Sequence, residues 1–258
     1  MKVEVLVSTV NANVQELVKK MKIDSDAIII NQCDKYAYEE LKLKDYTIKV
    51  FHCNERGVGL SRNTALERAT ADIVLFADDD EILVDNYEKL IIEEFNKNKK
   101  ITMLVFNINS INGKKTYMHK NNLRLHKFNS LKYGTVRLAV KLNEIRKNNI
   151  CFSLLFGGGA KYGSGEDSIF IYDCLKNKLK IYTSDKIIAN VNFETSSWFA
   201  GYNEKYYFDK GALFYCLHKK NAILFMFIYI IRHKNENNMK FFKKYKILKK
   251  GYLEMKKG

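Results

Sequence analysis

The chain has 258 residues, 47 % of them apolar, which is enough to bury a core and excludes an intrinsically disordered protein. Five scattered cysteines (Cys33, Cys53, Cys151, Cys174, Cys216) form no Cys-x-x-Cys pair, so a zinc knuckle and a disulfide framework are excluded and a reducing cytoplasm is expected. The net charge of +15 admits nucleic acid, an anionic membrane surface or phosphorylated substrates as partners.

Val3–Val7 is a short apolar run that predicts a buried strand. Val14, Leu17, Val18 and Met21 then recur at the spacing of an amphipathic helix. Ala27–Ile30 and Thr47–Phe51 predict two more strands, and Leu60–Ala69 a helix. Asp72–Ala77 predicts a strand that ends at three aspartates. A helical stripe follows at Tyr87, Leu90, Ile91 and Phe95, then a strand at Ile101–Ile108. This alternation predicts an α/β fold with a mixed, mostly parallel central sheet flanked by helices. Ligands in such sheets bind beyond the carboxyl ends of strands. Further on, Asn112-Gly113 reads as a hairpin turn, and Asn121–Val140 as short mixed segments. Glu166–Asn177 reads as a helix, and Lys180–Thr183 and Ile187–Val191 as strand pieces.

Three groups of residues carry candidate chemistry. Asp78-Asp79-Asp80 follows a strand, and adjacent carboxylates there repel unless a cation or donors compensate. Mg²⁺ or Mn²⁺ shared with substrate phosphates would do so. The alternative is a solvated acidic turn before a helix capped by Asp85. Gly57–Ala65 (GVGLSRNTA) has two glycines that could let backbone approach a ligand, with Arg62 near a helix start where an anion is welcome; it could equally be a plain strand-to-helix turn. Gly157-Gly158-Gly159 is followed by Gly165-Glu166-Asp167, which offers either a general base or helix capping.

In combination, GVGLSRNTALERATADIVLFADDDEIL and the later Gly165-Glu166-Asp167-Ser168 resemble glycosyltransferase family 2, including bacterial members that build cell-surface and capsular polysaccharides. The resemblance spans about residues 1–195. It implies a GT-A, Rossmann-like fold and an inverting, metal-dependent transfer of sugar from a nucleotide-diphosphate donor, most readily a UDP-sugar, to a glycan or lipid-linked acceptor. On the matched positions it implies Asp80 and Asp78 as the metal pair, with Mn²⁺ or Mg²⁺ as cofactor. It implies Asp167 as catalytic base with Glu166 in support. The donor side would comprise Ser8, Thr9, Asn11, Asp34, Arg62, Asp78 and Asp79, with Asp34 contacting the base. Residues 1–195 would form the catalytic domain, with a nucleotide-sugar half over 1–110 and an acceptor half over 111–195. Residues 196–258 would be a helical, basic extension.

From Trp198 to Gly258 there are 14 Lys+Arg against 4 Asp+Glu, a surplus of +10 out of the total +15. Ala222–Ile231 (AILFMFIYII) is ten apolar residues, about half of what a spanning helix needs. The segment reads either as an interfacial anchor on an anionic cytoplasmic leaflet, placing the protein peripherally on the inner face of the cell membrane, or as a core helix beside a solvated basic face. Trp198, Phe199, Tyr202, Tyr206, Tyr207 and Phe208 read as core, with one or two available to line an acceptor cleft. His119, His126 and His218 carry no distinguishing spacing. A sugar-phosphate nucleotidyltransferase would need a Gly- and Arg/Lys-rich loop after the first strand, which Ser8–Val14 lacks. A nucleic-acid binder would need a recognition signature, and none is present.

Overall fold

The structure is a computed structural model that describes all residues except 113–115, 128, 193–200, 236 and 258. Among the described residues nine strands form one sheet: β1 Val3–Val10, β2 Asp26–Gln32, β3 Ala37–Lys42, β4 Thr47–Cys53, β5 Ile73–Asp78, β6 Glu81–Leu83, β7 Met103–Ser110, β8 Leu138–Lys141 and β9 Ile181–Val191. Their order is β3-β4-β2-β1-β5-β8-β7-β9-β6. β4, β2, β1 and β5 form a parallel block. β8 enters antiparallel between β5 and β7, while β9 lies parallel to β7. The edges, β3 and β6, pair antiparallel.

Helices cover both faces, which is why the central strands are apolar on both sides. Val5, Val7 and Ile29 face α1 (Val14–Met21) and α3 (Tyr87–Lys97), meeting Leu17, Met21, Ile91 and Phe95. Leu6, Ile28, Val74 and Phe76 face the other way. There they meet α2 (Val58–Arg68), α4 (Leu142–Lys147) and α5 (Glu166–Lys176) through Leu66, Ile145, Phe170 and Cys174. All five cysteines are free thiols.

The sequence expectations differ from this fold in several places. β3 (AYEELK) is exposed along almost its whole length, so it lacks the apolar pattern that would announce it. The two pieces expected at 180–191 are one strand, β9, whose irregular register against Val105–Ile108 interrupts its apolar pattern. The helix after the aspartates is capped not by Asp85 but by Asn86, which adopts a left-handed backbone with φ 59°. The Gly113 of the expected hairpin, Trp198, Phe199 and the expected boundary at 195/196 lie outside the described residues.

Three further helices follow among the described residues: α6 Glu204–His218, α7 Ala222–Arg232 and α8 Phe241–Lys257. α6 and α8 cross at Gly211 and Gly251. A Cβ on Gly211 would sit 1.9 Å from the Leu248 carbonyl oxygen, and one on Gly251 1.9 Å from that of Phe208. Two side-chain-free surfaces therefore let the backbones touch. Leu213 and Leu217 of α6 pack with Phe156 and Tyr162, tying this layer to the sheet domain. By length and composition, Glu204–Arg232 is apolar enough to cross a membrane as one helix. The chain instead folds back at Lys219 (φ 41°) and a 3-10 turn over Lys219–Asn221, so that the Tyr206 and Tyr229 hydroxyls lie 2.7 Å apart. In a straight helix those residues would be about 35 Å apart.

Candidate active site

Two clefts open at the carboxyl ends of the parallel strands, and they meet at Val58, Asp78 and Gly158. The first, about 670 Å³, lies between the β1–α1 turn and the three aspartates. Ser8, Thr9, Lys20, Gln32, Arg56, Asp79 and Asp80 contribute to its walls. The second, about 540 Å³, lies between the start of α5 and α6. Arg62, Tyr133, Glu166, Asp167, Tyr206 and Asp209 are among its lining residues.

The aspartate turn is held from three sides. Thr9 donates its hydroxyl to Asp79 Oδ2 at 2.5 Å, and Lys20 Nζ donates to the Asp79 carbonyl at 2.9 Å. The Asp78 backbone N–H donates to Glu81 Oε1 at 2.8 Å. Glu81 is 1 % exposed, and burial holds its carboxyl well above the usual range, with the charge of Asp78 adding to the effect. Asp80 lines the cleft with its carboxyl pushed up to about 6, chiefly by burial and then by the charges of Asp78 and Asp79.

The centre of the site is Arg62, 4 % exposed. It is the fifth residue of α2, and its guanidinium reaches across the junction of the clefts. It donates to Asp78 Oδ1 (3.0 Å), Asp167 Oδ1 (3.0 Å) and Glu166 Oε1 (3.2 Å). Burial opposes its charge, but the three carboxylates outweigh that and keep it protonated. Thr135 also donates to Asp167 Oδ1. The Glu166 carboxyl, 9 % exposed, is pushed up to about 7 by burial and by Asp167, against the pull of Arg62. The Gly157 loop passes tightly over this group: with φ 107°, a Cβ there would meet Val58 Cγ1 at 2.6 Å and Glu166 Cδ at 2.9 Å.

Most of the residues singled out from sequence converge here. Ser8, Thr9, Asp78, Asp79 and Asp80 line the first cleft, and Asp78, Glu166 and Asp167 the second. Four expectations need correction. Arg62 lines the second cleft, not the first, and its partners are protein carboxylates. Asp34 is exposed and outside both linings, because Cys33 N–H still pairs with the Cys53 carbonyl and leaves Asp34 beyond the sheet end. Asn11 is an exposed turn residue with φ 49°, whose N–H donates to the Gln32 carbonyl. Gly59 makes room for protein rather than ligand: a Cβ there would lie 2.4 Å from the Ser153 carbonyl oxygen. Sequence reasoning missed Lys20, Gln32, Arg56, Thr135 and Glu81. For Glu81 the signal was present, as a fourth consecutive acid; Lys20 and Arg56 are single basic residues brought in by tertiary packing.

A parallel nucleotide-fold half joined to a mixed half, with acids at the junction, is the arrangement of the GT-A class of sugar transferases. The chain belongs to glycosyl transferase family 2, whose model matches residues 8–156. It is therefore a glycosyltransferase. Comparison with curated protein sequences gives no match. Among solved structures, S. aureus TarS (residues 1–349) in complex with UDP-GlcNAc is similar, with a TM-score of 0.64 and 17 % identity over 90 % of this chain and 72 % of that one. The same TarS fragment with UDP gives 0.63 and 16 %, covering 95 % and 77 %. Another TarS structure gives 0.62 and 18 %, covering 92 % of this chain and 44 % of that one. At these identities the likeness is one of fold.

Proposed function

We propose that this protein transfers a sugar from a nucleotide-diphosphate sugar, of the UDP type, to a glycan hydroxyl with inversion at the anomeric carbon. The observation that carries this reading is the junction of the two clefts at Asp78, with the aspartate turn on one side and Asp167 on the other. The TarS structures with UDP-GlcNAc and UDP support a uridine-linked donor for the first cleft.

Donor phosphates in the first cleft would meet Lys20 and Arg56, both of which line it. Among the described residues no group of three or more His, Cys, Asp or Glu side chains is disposed to hold a metal ion. The acids present fit an ion that arrives with the diphosphate, because Mg²⁺ and Mn²⁺ are commonly held by one or two carboxylates together with phosphate oxygens and waters. Asp80 would hold it, with Asp78 nearby, and the bound ion would supply Lewis-acid stabilisation of charge on the leaving phosphate.

The acceptor occupies the second cleft, whose lining includes Tyr133, Asn203, Tyr206 and Lys210. Asp167 is the base. Its Oδ1 is fixed by Arg62 and Thr135, while Oδ2 lies beside Gly134, a cleft-lining residue, whose added Cβ would be 3.3 Å away. The acceptor oxygen bonds to the anomeric carbon as its proton passes to Asp167. The bond from that carbon to the diphosphate oxygen breaks, and its electron pair leaves with the nucleotide. A positioned base of this kind is worth about 10²–10⁴-fold in rate. Glu166 is the poorer base: both its oxygens are engaged, by Arg62 and by the Gly165 N–H, and it is more deeply buried than Asp167.

The test is a thermal-shift screen of nucleotide sugars with and without Mn²⁺, on wild type and Asp80→Ala. A UDP-sugar raises the melting temperature of wild type when Mn²⁺ is present, since a ligand that binds only the native state stabilises it. Asp80→Ala loses that shift. An equal shift in the variant would remove Asp80 from the donor site.

A further inference from the structure

Helix α7 (AILFMFIYIIR) is apolar all round, yet only one side of it is packed. Ala222, Met226 and Ile230 are buried with Phe214, Leu248 and Tyr252 of the neighbouring helices. On the opposite side Ile223, Leu224, Phe227 and Ile231 are exposed by 39, 60, 37 and 62 %. At about 100° per residue these four positions fall on one stripe. The first turn of α8 extends it: Phe227 stacks on Tyr245 and Phe241, with centroids 4.7 and 5.9 Å apart, and Phe242 beside them is 82 % exposed.

The stripe is rimmed by cations. Lys219 and Lys220 stand at one end, Arg232 and Lys234 at the other, and Lys240 and Lys246 flank Phe242; all are exposed. Between Asp209 and Glu254 the sequence contains a single acid, Glu236. An apolar face beside Lys and Arg matches a surface that is greasy beneath and negative above, which is the interface of an anionic bilayer. A second copy of the chain would bring the same cations against these. A membrane-spanning state does not fit the fold. α7 is 11 residues, about 16 Å, against a hydrocarbon core of about 30 Å. α6, with which it would have to be continuous, is folded back against it and locked to α8 at Gly211.

We propose that this face docks on an anionic lipid bilayer, with α7 lying in the interface plane. Docking positions the second cleft. Tyr206 lines that cleft, and its hydroxyl meets that of Tyr229 near the Arg232 end of α7. The cleft wall and the lipid-facing helix therefore move together, and an acceptor held in the membrane surface would be presented to it.

Co-sedimentation of the full chain with vesicles tests this independently of any transfer activity. We expect binding to phosphatidylcholine vesicles containing phosphatidylglycerol at about 0.1 M NaCl, release at about 0.5 M, where the screening length is shorter, and no binding to phosphatidylcholine alone. Combined Leu224→Gln, Phe227→Gln and Ile231→Gln weakens binding at least tenfold. Combined Lys219→Gln, Lys220→Gln and Arg232→Gln weakens it about fivefold per charge. Lys219, Lys220, Arg232, Leu224 and Ile231 are exposed, so circular dichroism melting of the charge variant stays close to wild type, and that of the apolar variant falls only by the loss of Phe227 stacking on Phe241 and Tyr245. If the apolar triple variant fails to fold, Ile231→Gln alone serves, with a loss of at least threefold. No binding to anionic vesicles, unchanged binding by the apolar variant, retention through an alkaline high-salt wash, or a concentration-dependent dimer that the apolar variant dissolves would each overturn the proposal.

Discussion

Replacing Arg62 with Met removes one charge and leaves three carboxylates without it. Asp78, Asp167 and Glu166 lie 3.0, 3.0 and 3.2 Å from the guanidinium, whose side chain is 5 % exposed. Methionine keeps the unbranched stem as far as the Nε position but removes the guanidinium, whose carbon sits 5.4 Å from the centre of the Phe152 ring. The loss is therefore mainly that of the charge and its hydrogen bonds. Breaking a buried ion pair from one side costs about 3–5 kcal/mol, because the partner charge stays buried. Against a typical domain stability of about 5–15 kcal/mol this is a large fraction. The effect also carries a pH signature. Arg62 pulls the Asp78 and Glu166 carboxyls down; without it both titrate higher in the folded state. The variant then binds more protons than wild type around and above pH 7, where Glu166 titrates, so its deficit shrinks as pH falls through that range. Urea unfolding of Arg62→Met in chelator should show a loss of about 3–5 kcal/mol at pH 8 and a smaller one at pH 5.5. Should the Met variant not fold, Arg62→Lys, which keeps the charge but cannot fork between three acids, shows the same pH trend at smaller size. A loss below about 1 kcal/mol, or one that does not change with pH, would refute the role of Arg62 as the common counter-ion.

Glu166→Gln isolates one arm of this group. The Glu166 carboxyl is pushed up to about 7 from an ordinary 4.5, so the fold favours its neutral form. That stabilisation is complete below about pH 4.5 and is lost as pH rises through about 7. The melting temperature of the variant relative to wild type in chelator should therefore climb between pH 5 and pH 8; a flat difference would contradict the shift. Gly211→Ala tests the crossing of α6 and α8. Its methyl would need to occupy space 1.9 Å from the Leu248 carbonyl oxygen, so overpacking of about 1–3 kcal/mol is expected by chemical denaturation. An unchanged stability would mean that the helices separate freely.

Much of this architecture can be read from the chain. β1, β2, β5 and β7 hold apolar runs because they are interior strands with both faces covered, and β4 alternates because only Ile48 and Val50 are fully buried, so burial and sequence carry the same information. β3 escapes because an edge strand exposed to water needs no apolar pattern. β6 escapes because its three residues continue an acidic turn. The acids of the site were legible because they follow a strand end or open a helix. The role of Arg62 was not: its contacts to Glu166 and Asp167 span more than a hundred residues of sequence, and no local spacing encodes them. The same holds for Asp34. The sequence places it after a strand, but it takes the tertiary structure to show that the pairing of Cys33 with Cys53 leaves it outside the cleft.

The central claim is that Asp167 accepts the proton of the attacking hydroxyl. It is tested most directly by measuring UDP release from UDP-sugars in the presence of a panel of glycan acceptors, for wild type and for Asp167→Asn, alongside donor binding by thermal shift. Wild type should release UDP. Asp167→Asn should bind the donor equally well, since Asp167 lies in the second cleft, while its turnover falls about 10²–10⁴-fold. Turnover by Asp167→Asn at the wild-type rate would contradict the assignment of the base and the geometry of transfer built on it.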